Sequence, residues 1–257
     1  MWEKEIQVAR HAAAEAGKIL NRLFGQVRQI EKKGEIDLVT EADLQSEKTI
    51  LDIITRHFPQ DSILTEEAGE FNHLSDRMWI VDPLDGTTNF THRFPVFAIS
   101  IALEVERKLV LGVANSPYTN EEFEAVKGMG AFLNKRPIRV SQTKTLQDAL
   151  LVTGFPYDIH ENPERVMELF KKMLVRAQGV RRPGSAVIDL CYVAAGMFDG
   201  FWEEGLKPWD TAAGAIIVSE AGGKVTNYEG DPFTPHLKSI VAANPLIHEA
   251  MLEALNA

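Results

Sequence analysis

The chain has 257 residues, 45% of them apolar and 25% charged, with a formal net charge of −10. That length buries a substantial core, as one large domain or as two closely packed halves. The acidic balance repels nucleic-acid backbones and anionic membranes, so neither is an expected partner, while a small anionic substrate stays open because a bound cation reverses the local sign.

The first residues, Met-Trp-Glu-Lys-Glu, lack the basic stretch and apolar run of a signal peptide. No later apolar run approaches a membrane span, and a cytoplasmic location is expected. Ile6, Ala9, Ala13, Ala16, Leu20 and Phe24 recur at a helical period that stops near Gly25. The polar stretch Glu31-Lys-Lys-Gly34-Glu35 reads as a mobile loop. A second helix is predicted from about Glu41 to His57, with Leu44, Ile50, Leu51 and Ile54 facing inward and Pro59 ending it. Strands follow at Met78–Val81, Val96–Val105, Leu109–Ala114 and Glu122–Val126, with links short enough for an antiparallel meander.

The second half alternates strands with helices. Strands are expected at Leu150–Thr153, Phe198–Trp202, Lys224–Thr226 and Ser239–Ala242; helices at Pro163–Arg176, Ser185–Ala195, Asp210–Ala221 and Leu246–Leu255. The lone cysteine, Cys191, excludes an intrachain disulfide and a thiolate metal cluster, and in its helix it reads as a small core hydrophobe. The pattern is α/β (α+β): helices layered on two mixed or antiparallel sheets, in subdomains 1–145 and 146–257 that share one body.

The segment Trp79-Ile-Val-Asp82-Pro-Leu-Asp85-Gly-Thr87-Thr-Asn-Phe90 is the most informative. A hydrophobic strand ends at Asp82, and Pro83 is expected to start a turn that returns Asp85 towards Asp82. Gly86 allows close backbone approach, and Thr87 opens a helical turn with free N–H groups. Two carboxylates beside amide donors suit a divalent cation and a phosphate; the ordinary alternative is a pair of turn and capping residues. Glu66 and Glu67 end a short strand at Ile63-Leu-Thr, and Asp210 precedes an apolar helix. Taken singly, Glu66 reads as a solvated loop acid and Asp210 as a helix N-cap.

Six segments in register resemble the inositol monophosphatase family: Asp37-Leu-Val-Thr-Glu-Ala-Asp43, Thr65-Glu-Glu67, Asp82-Pro-Leu-Asp-Gly-Thr87, Gly184-Ser-Ala186, Trp209-Asp-Thr-Ala-Ala-Gly214 and Glu220-Ala-Gly-Gly223. The resemblance implies a layered fold of the sugar-phosphatase type and a lithium-sensitive, Mg²⁺-dependent phosphatase with two to three ions per site. It assigns Glu66, Asp82, the Leu84 carbonyl, Asp85 and Asp210 to the metals. All-oxygen ligation suits Mg²⁺, and no His pair at metal-ligand spacing competes. It further implies a water activated at the metal and positioned by Glu66 and Thr87, with Asp43 supporting Thr87, the Gly86 and Thr87 amides cradling the phosphate, and no phosphoenzyme. Asp85, Gly184, Ser185, Ala186 and Glu203 match substrate-binding positions, and Lys32 matches a loop over the site. Arg181-Arg182 either attracts the anion or is a solvated pair.

Thr88-Asn89-Phe90 resembles the inositol monophosphatase branch; the branch acting on 3′-phosphoadenosine nucleotides typically carries Lys-Glu-Phe there. The expected reaction is hydrolysis of inositol 1-phosphate or another small phosphorylated polyol, in a homodimer. Fructose-1,6-bisphosphatase activity is the alternative, and a catalytically idle regulator is disfavoured because every catalytic carboxylate and Thr87 are present.

Overall fold

The computed structural model describes residues 2–26, 30–32, 38–71, 73, 75–156, 159–161 and 163–257, with the backbone alone at 30–32 and 38. Helix α1 (Glu3–Leu23) buries Ala9, Ala13, Ala16 and Leu20 on one stripe. Strands β1 (Ile30–Lys32) and β2 (Leu38–Thr40) form a small antiparallel pair. The loop expected at 31–35 is therefore strand at Glu31 and Lys32, and its remainder lies outside the described residues. Helix α2 (Glu41–His57) starts in a capping box, with the Thr40 hydroxyl accepting the Ala42 N–H and the Asp43 carboxylate accepting the Thr40 N–H. Leu44, expected inward, is 55% exposed.

Next come β3 (Ser62–Thr65), β4 (Gly69–Phe71), β5 (Arg77–Asp85), the short helix α3 (Thr87–Thr91), β6 (Ala98–Val105), β7 (Lys108–Ser116), β8 (Glu121–Val126), β9 (Ala131–Leu133) and β10 (Arg136–Ile138). They form one eight-stranded sheet in the order β10-β9-β8-β7-β6-β5-β3-β4. The expected meander is its β5-to-β8 section, extended by β9 and β10, while β3 pairs parallel to β5. The turn expected at Pro83 is a bulge inside β5: Asp82 faces Ser100 and Asp85 faces Ala98, leaving Pro83 and Leu84 against Ile99 alone. Proline, lacking a donor, is tolerated where the ladder is already broken.

The second sheet contains β11 (Leu150–Thr153), β12 (Gly179–Arg181), β13 (Gly200–Glu204), β14 (Lys224–Thr226) and β15 (Ser239–Ala243), ordered β12-β11-β13-β15-β14. Its helices are α4 (Pro163–Leu174), α5 (Ala186–Ala194), α6 (Pro208–Glu220) and α7 (His248–Asn256).

Strand alternation sets the layering. Trp79, Val81, Ile101 and Val113 bury one sheet face against α1 and α2, and Ile80, Ala102 and Ala114 bury the other against α5 and α6. Val152, Phe201 and Ala242 cover the far side of α5 and α6; Leu151, Trp202 and Val241 face α4 and α7. The order is helix, sheet, helix, sheet, helix. The near-all-apolar α5 and α6 are the layer buried on both sides, and Cys191 sits there fully buried. Among the described residues no helix is long and apolar enough to cross a membrane.

Candidate active site

The site residues gather where β3 and β5 end, where α3 and α6 begin and just ahead of α5. Thr65 closes β3 opposite Val81, which sets Glu66 beside Asp82. The turn carrying Glu66 is held by Glu47 of α2, whose carboxylate accepts from the Thr65 hydroxyl at 2.7 Å and from the Glu67 and Ala68 amides at 3.1 Å each. The sequence offered no sign of Glu47, a polar residue on a helix face.

The bulge fixes the next three residues. Asp82 Oδ1 accepts the Leu84 N–H at 2.9 Å. The Thr87 hydroxyl reaches the Leu84 carbonyl at 3.0 Å and Asp43 Oδ1 at 2.9 Å, while Asp43 Oδ2 is held by the Thr40 hydroxyl and amide. Asp43 and Thr87 are thus in direct contact. Gly86 has φ +92°, a conformation costly for other residues, and a Cβ there would lie 2.9 Å from the Val96 carbonyl oxygen. Glycine is required twice over.

Asp85 ties this end of the large sheet to α5. Its Oδ2 accepts the Ser185 hydroxyl at 2.7 Å and the Val187 amide at 2.8 Å. Ser185 therefore contacts a carboxylate directly. Asn89, singled out in the sequence only as part of Thr-Asn-Phe, locks the same junction: its side-chain amide donates to the carbonyls of Val96, Pro183 and Gly184. Asp210 is not the N-cap expected for a helix opening after it. The helix begins at Pro208, Asp210 is its third residue, and Oδ2 accepts the Lys207 amide at 2.7 Å.

Electrostatics set these acids apart. Burial pushes Asp82 well above the usual carboxylate range, and the charges of Glu66, Asp85 and Asp210 push it further. Burial and then Asp85 raise Asp210 in the same way. Asp85 rises to about 6 through burial, opposed by the Ser185 and Val187 donors. Glu203 near the end of β13 is also raised by burial and by Asp210, with Arg182 opposing. The exposed Arg182 guanidinium lies 5.5 Å from the centre of the Phe155 ring. Asp189 of α5, absent from the sequence candidates, lies buried near Glu203 and Asp85 with Oδ1 unpartnered among the described residues. Gly184 and Ala186 flank Ser185 at the start of α5; the side chain of Lys32 lies outside the described residues.

Among the described residues no group of three or more His, Cys, Asp and Glu side chains stands arranged to hold a metal ion. The donor chemistry nevertheless fits a hard divalent cation: the atoms are carboxylate and carbonyl oxygens, and the cluster holds mutually repelling buried acids whose charge a cation would neutralise. At ~4 Å each such pair repels by about 4 kcal/mol at an effective dielectric near 20.

A layered α/β body carries these acids at its strand ends, and comparison with known proteins gives its family. The model of the inositol monophosphatase family matches residues 1–257, and the chain belongs to that family. It is 45% identical over 254 residues to the inositol-1-monophosphatase of Synechocystis, covering 98% of this chain and 88% of that protein. It is 38% identical to the fructose-1,6-bisphosphatase/inositol-1-monophosphatase of Aquifex aeolicus, covering 98% and 95%. The crystal structure of the extragenic suppressor protein suhB from Bartonella henselae superposes with a TM-score of 0.93 at 41% identity, covering 98% of each chain. Family and relatives support a phosphatase acting on sugar or polyol phosphates, a metal-dependent class.

Proposed function

We propose that the chain hydrolyses a small phosphate monoester of a cyclic polyol, inositol 1-phosphate before others, with Mg²⁺ bound by Glu66, Asp82, the Leu84 carbonyl, Asp85 and Asp210. The acid cluster carries this reading: Asp82, Asp85 and Asp210 are held by neighbouring donors, and the charges of Glu66 and Asp85 raise both Asp82 and Asp210, which a folded chain tolerates best when cations complete the site. Bound Mg²⁺ supplies charge neutralisation of the phosphate, acidification of water and stabilisation of the leaving oxygen, and phosphate monoesters need accelerations far beyond the roughly 10²–10⁴-fold of one acid–base residue.

The chain's own groups then have distinct tasks. Glu66 and the Thr87 hydroxyl orient the attacking water, and Asp43 orients Thr87. The Gly86 and Thr87 amides receive the phosphate oxygens. Glu203, Ser185 and the backbone at Gly184 and Ala186 meet the hydroxyl-bearing ring, and Lys32 takes the role at the phosphate that the family resemblance gives it. Subdomains 1–145 and 146–257 each contribute, the first most of the metal ligands and the second the ring contacts. Two copies per assembly complete the reading, with no nucleic-acid partner, as a net charge of −10 supports.

The test is a phosphate-release screen, with Mg²⁺ present, over inositol monophosphates, fructose 1,6-bisphosphate, other sugar phosphates and 3′-phosphoadenosine 5′-phosphate. Inositol 1-phosphate is expected to have the highest kcat/KM. A higher value for fructose 1,6-bisphosphate moves the assignment to the activity in the Aquifex relative's name. Turnover of none of them overturns the phosphatase assignment and leaves a non-catalytic role.

A further inference from the structure

Gly154 directly follows β11, and its backbone does not ask for glycine, because it lies outside the positive-φ positions. The reason for glycine is space. Strands β11 and β13 run parallel with Thr153 opposite Trp202, and the Thr153 hydroxyl donates to the Trp202 carbonyl at 2.6 Å. One further step along both strands brings Gly154 beside Glu203. The Glu203 side chain is buried and its carboxyl occupies the place a side chain at 154 would take. A Cβ built on Gly154 would stand 2.5 Å from Glu203 Cδ and nearer still to both carboxylate oxygens. Close-packed interiors do not absorb that overlap without moving the carboxylate. The Gly154 amide adds a polar contact that favours the charged carboxylate.

We propose that Gly154 is a specificity-determining positioning residue: the side chain it lacks is the seat of the Glu203 carboxylate, and that seat fixes where Glu203 meets a ring hydroxyl of a polyol phosphate. The inference rests on the substrate-binding role given to Glu203 above. Any side chain at 154 moves the carboxylate while leaving Asp82, Asp85 and Asp210 on their own donors, so its effect falls on recognition of the ring.

The experiment is a double-mutant cycle of Gly154→Ala and Glu203→Ala. It measures kcat and KM on inositol 1-phosphate, whose ring carries hydroxyls, and on p-nitrophenyl phosphate, whose ring carries none. Gly154→Ala is expected to lower the ratio of kcat/KM between the two substrates about tenfold, mainly through KM for inositol 1-phosphate. In the Glu203→Ala background the same substitution should change the ratio by less than about twofold, because the two act through one contact. An unchanged ratio in Gly154→Ala, or its full effect repeated without Glu203, overturns the inference while leaving the role of Glu203 intact. A Glu203→Ala variant with an unchanged ratio overturns both. Should Gly154→Ala alone fail to fold, the double variant decides: melting restored to that of Glu203→Ala supports the overlap as the cause, and persistent unfolding overturns it.

Discussion

Strands β3 and β5 carry buried acids at both ends, and the two ends treat them in opposite ways. At the end where β3 begins, Asp61 accepts both of its oxygens' bonds from Arg77 Nε at 2.9 Å and a third from the Trp79 indole at 3.0 Å, while Arg77 also reaches Glu5. At the other end, about 16 Å away by strand rise, Asp82 and Asp210 accept backbone amides, Asp85 accepts an amide and a hydroxyl, and the charges of Glu66 and Asp85 bear on both Asp82 and Asp210. An acid matched by a guanidinium is finished structure. Where Asp82, Asp85 and Asp210 accept from amides and a hydroxyl, and Asp82 and Asp210 are raised by the charges of neighbouring acids, a like-charge repulsion is left that a cation would relieve. The strand pair thus separates an acid paired within the fold from those proposed to hold metal by what surrounds them, since the residue types are the same.

The largest effect expected from that difference is on activity. Removal of divalent cations with a chelator should abolish phosphate release, and Mg²⁺ should restore it, because carboxylates cannot acidify water unaided. Full turnover in excess chelator would show that the cluster needs no cation. Next, Asp210→Asn should lower kcat on the order of 10³-fold or more. The same change relieves a buried like charge, so the metal-free protein should melt no lower than the parent and could gain up to about 2 kcal/mol. Activity within a few-fold of the parent would return Asp210 to the part of a helix-start residue alone.

Asp61→Asn is the mirror experiment. It strips Arg77 of its paired carboxylate and should cost about 2 kcal/mol of stability in a denaturant melt, while kcat moves less than about twofold. A loss of turnover with stability unchanged would break the distinction between the two ends.

The sequence showed the acids of the functional end because they stand in short ordered motifs: Asp82-Pro-Leu-Asp85-Gly86-Thr87 and Trp209-Asp210 could be read for their chemistry. Long helices were equally legible, α1 and α2 from their apolar stripes. Other features were hidden for physical reasons. Strands of three residues, such as β9, β10 and β12, carry too little alternation to be distinguished from turns. The bulge at Pro83 and a tight turn carry the same residues, and only the pairing of Asp82 with Ser100 and Asp85 with Ala98 tells them apart. Glu47, Asp189 and Gly154 lie far along the chain from partners that no local pattern links to them. The seat that Gly154 gives Glu203 exists only once β11 lies beside β13.

The smallest expected effect concerns a third kind of buried ionisable group, one kept neutral chiefly by burial. His248 at the start of α7 is fully buried, with Nε2 3.0 Å from the Thr226 hydroxyl and Nδ1 unpartnered among the described residues. Burial, assisted by the nearby Lys224 charge, lowers its pKa from 6.5 to about 4. An unfolded chain takes up that proton below pH 6.5 and the folded chain does so only near 4, so the stability owed to neutral His248 is complete above 6.5 and is lost as pH falls through that window. The raised carboxylates of the functional end act with the opposite sign, favouring the folded state as pH falls, and would mask the trend in the parent alone. The measurement is therefore a difference: melting temperatures of the parent and His248→Gln, metal-free, from pH 7.5 to 4. The parent's advantage should shrink between pH 6.5 and 4, at roughly 2–4 °C per kcal/mol for a chain of this size. Two parallel curves would show that His248 carries its proton equally in the folded and unfolded states, and that burial at this site does not hold it neutral.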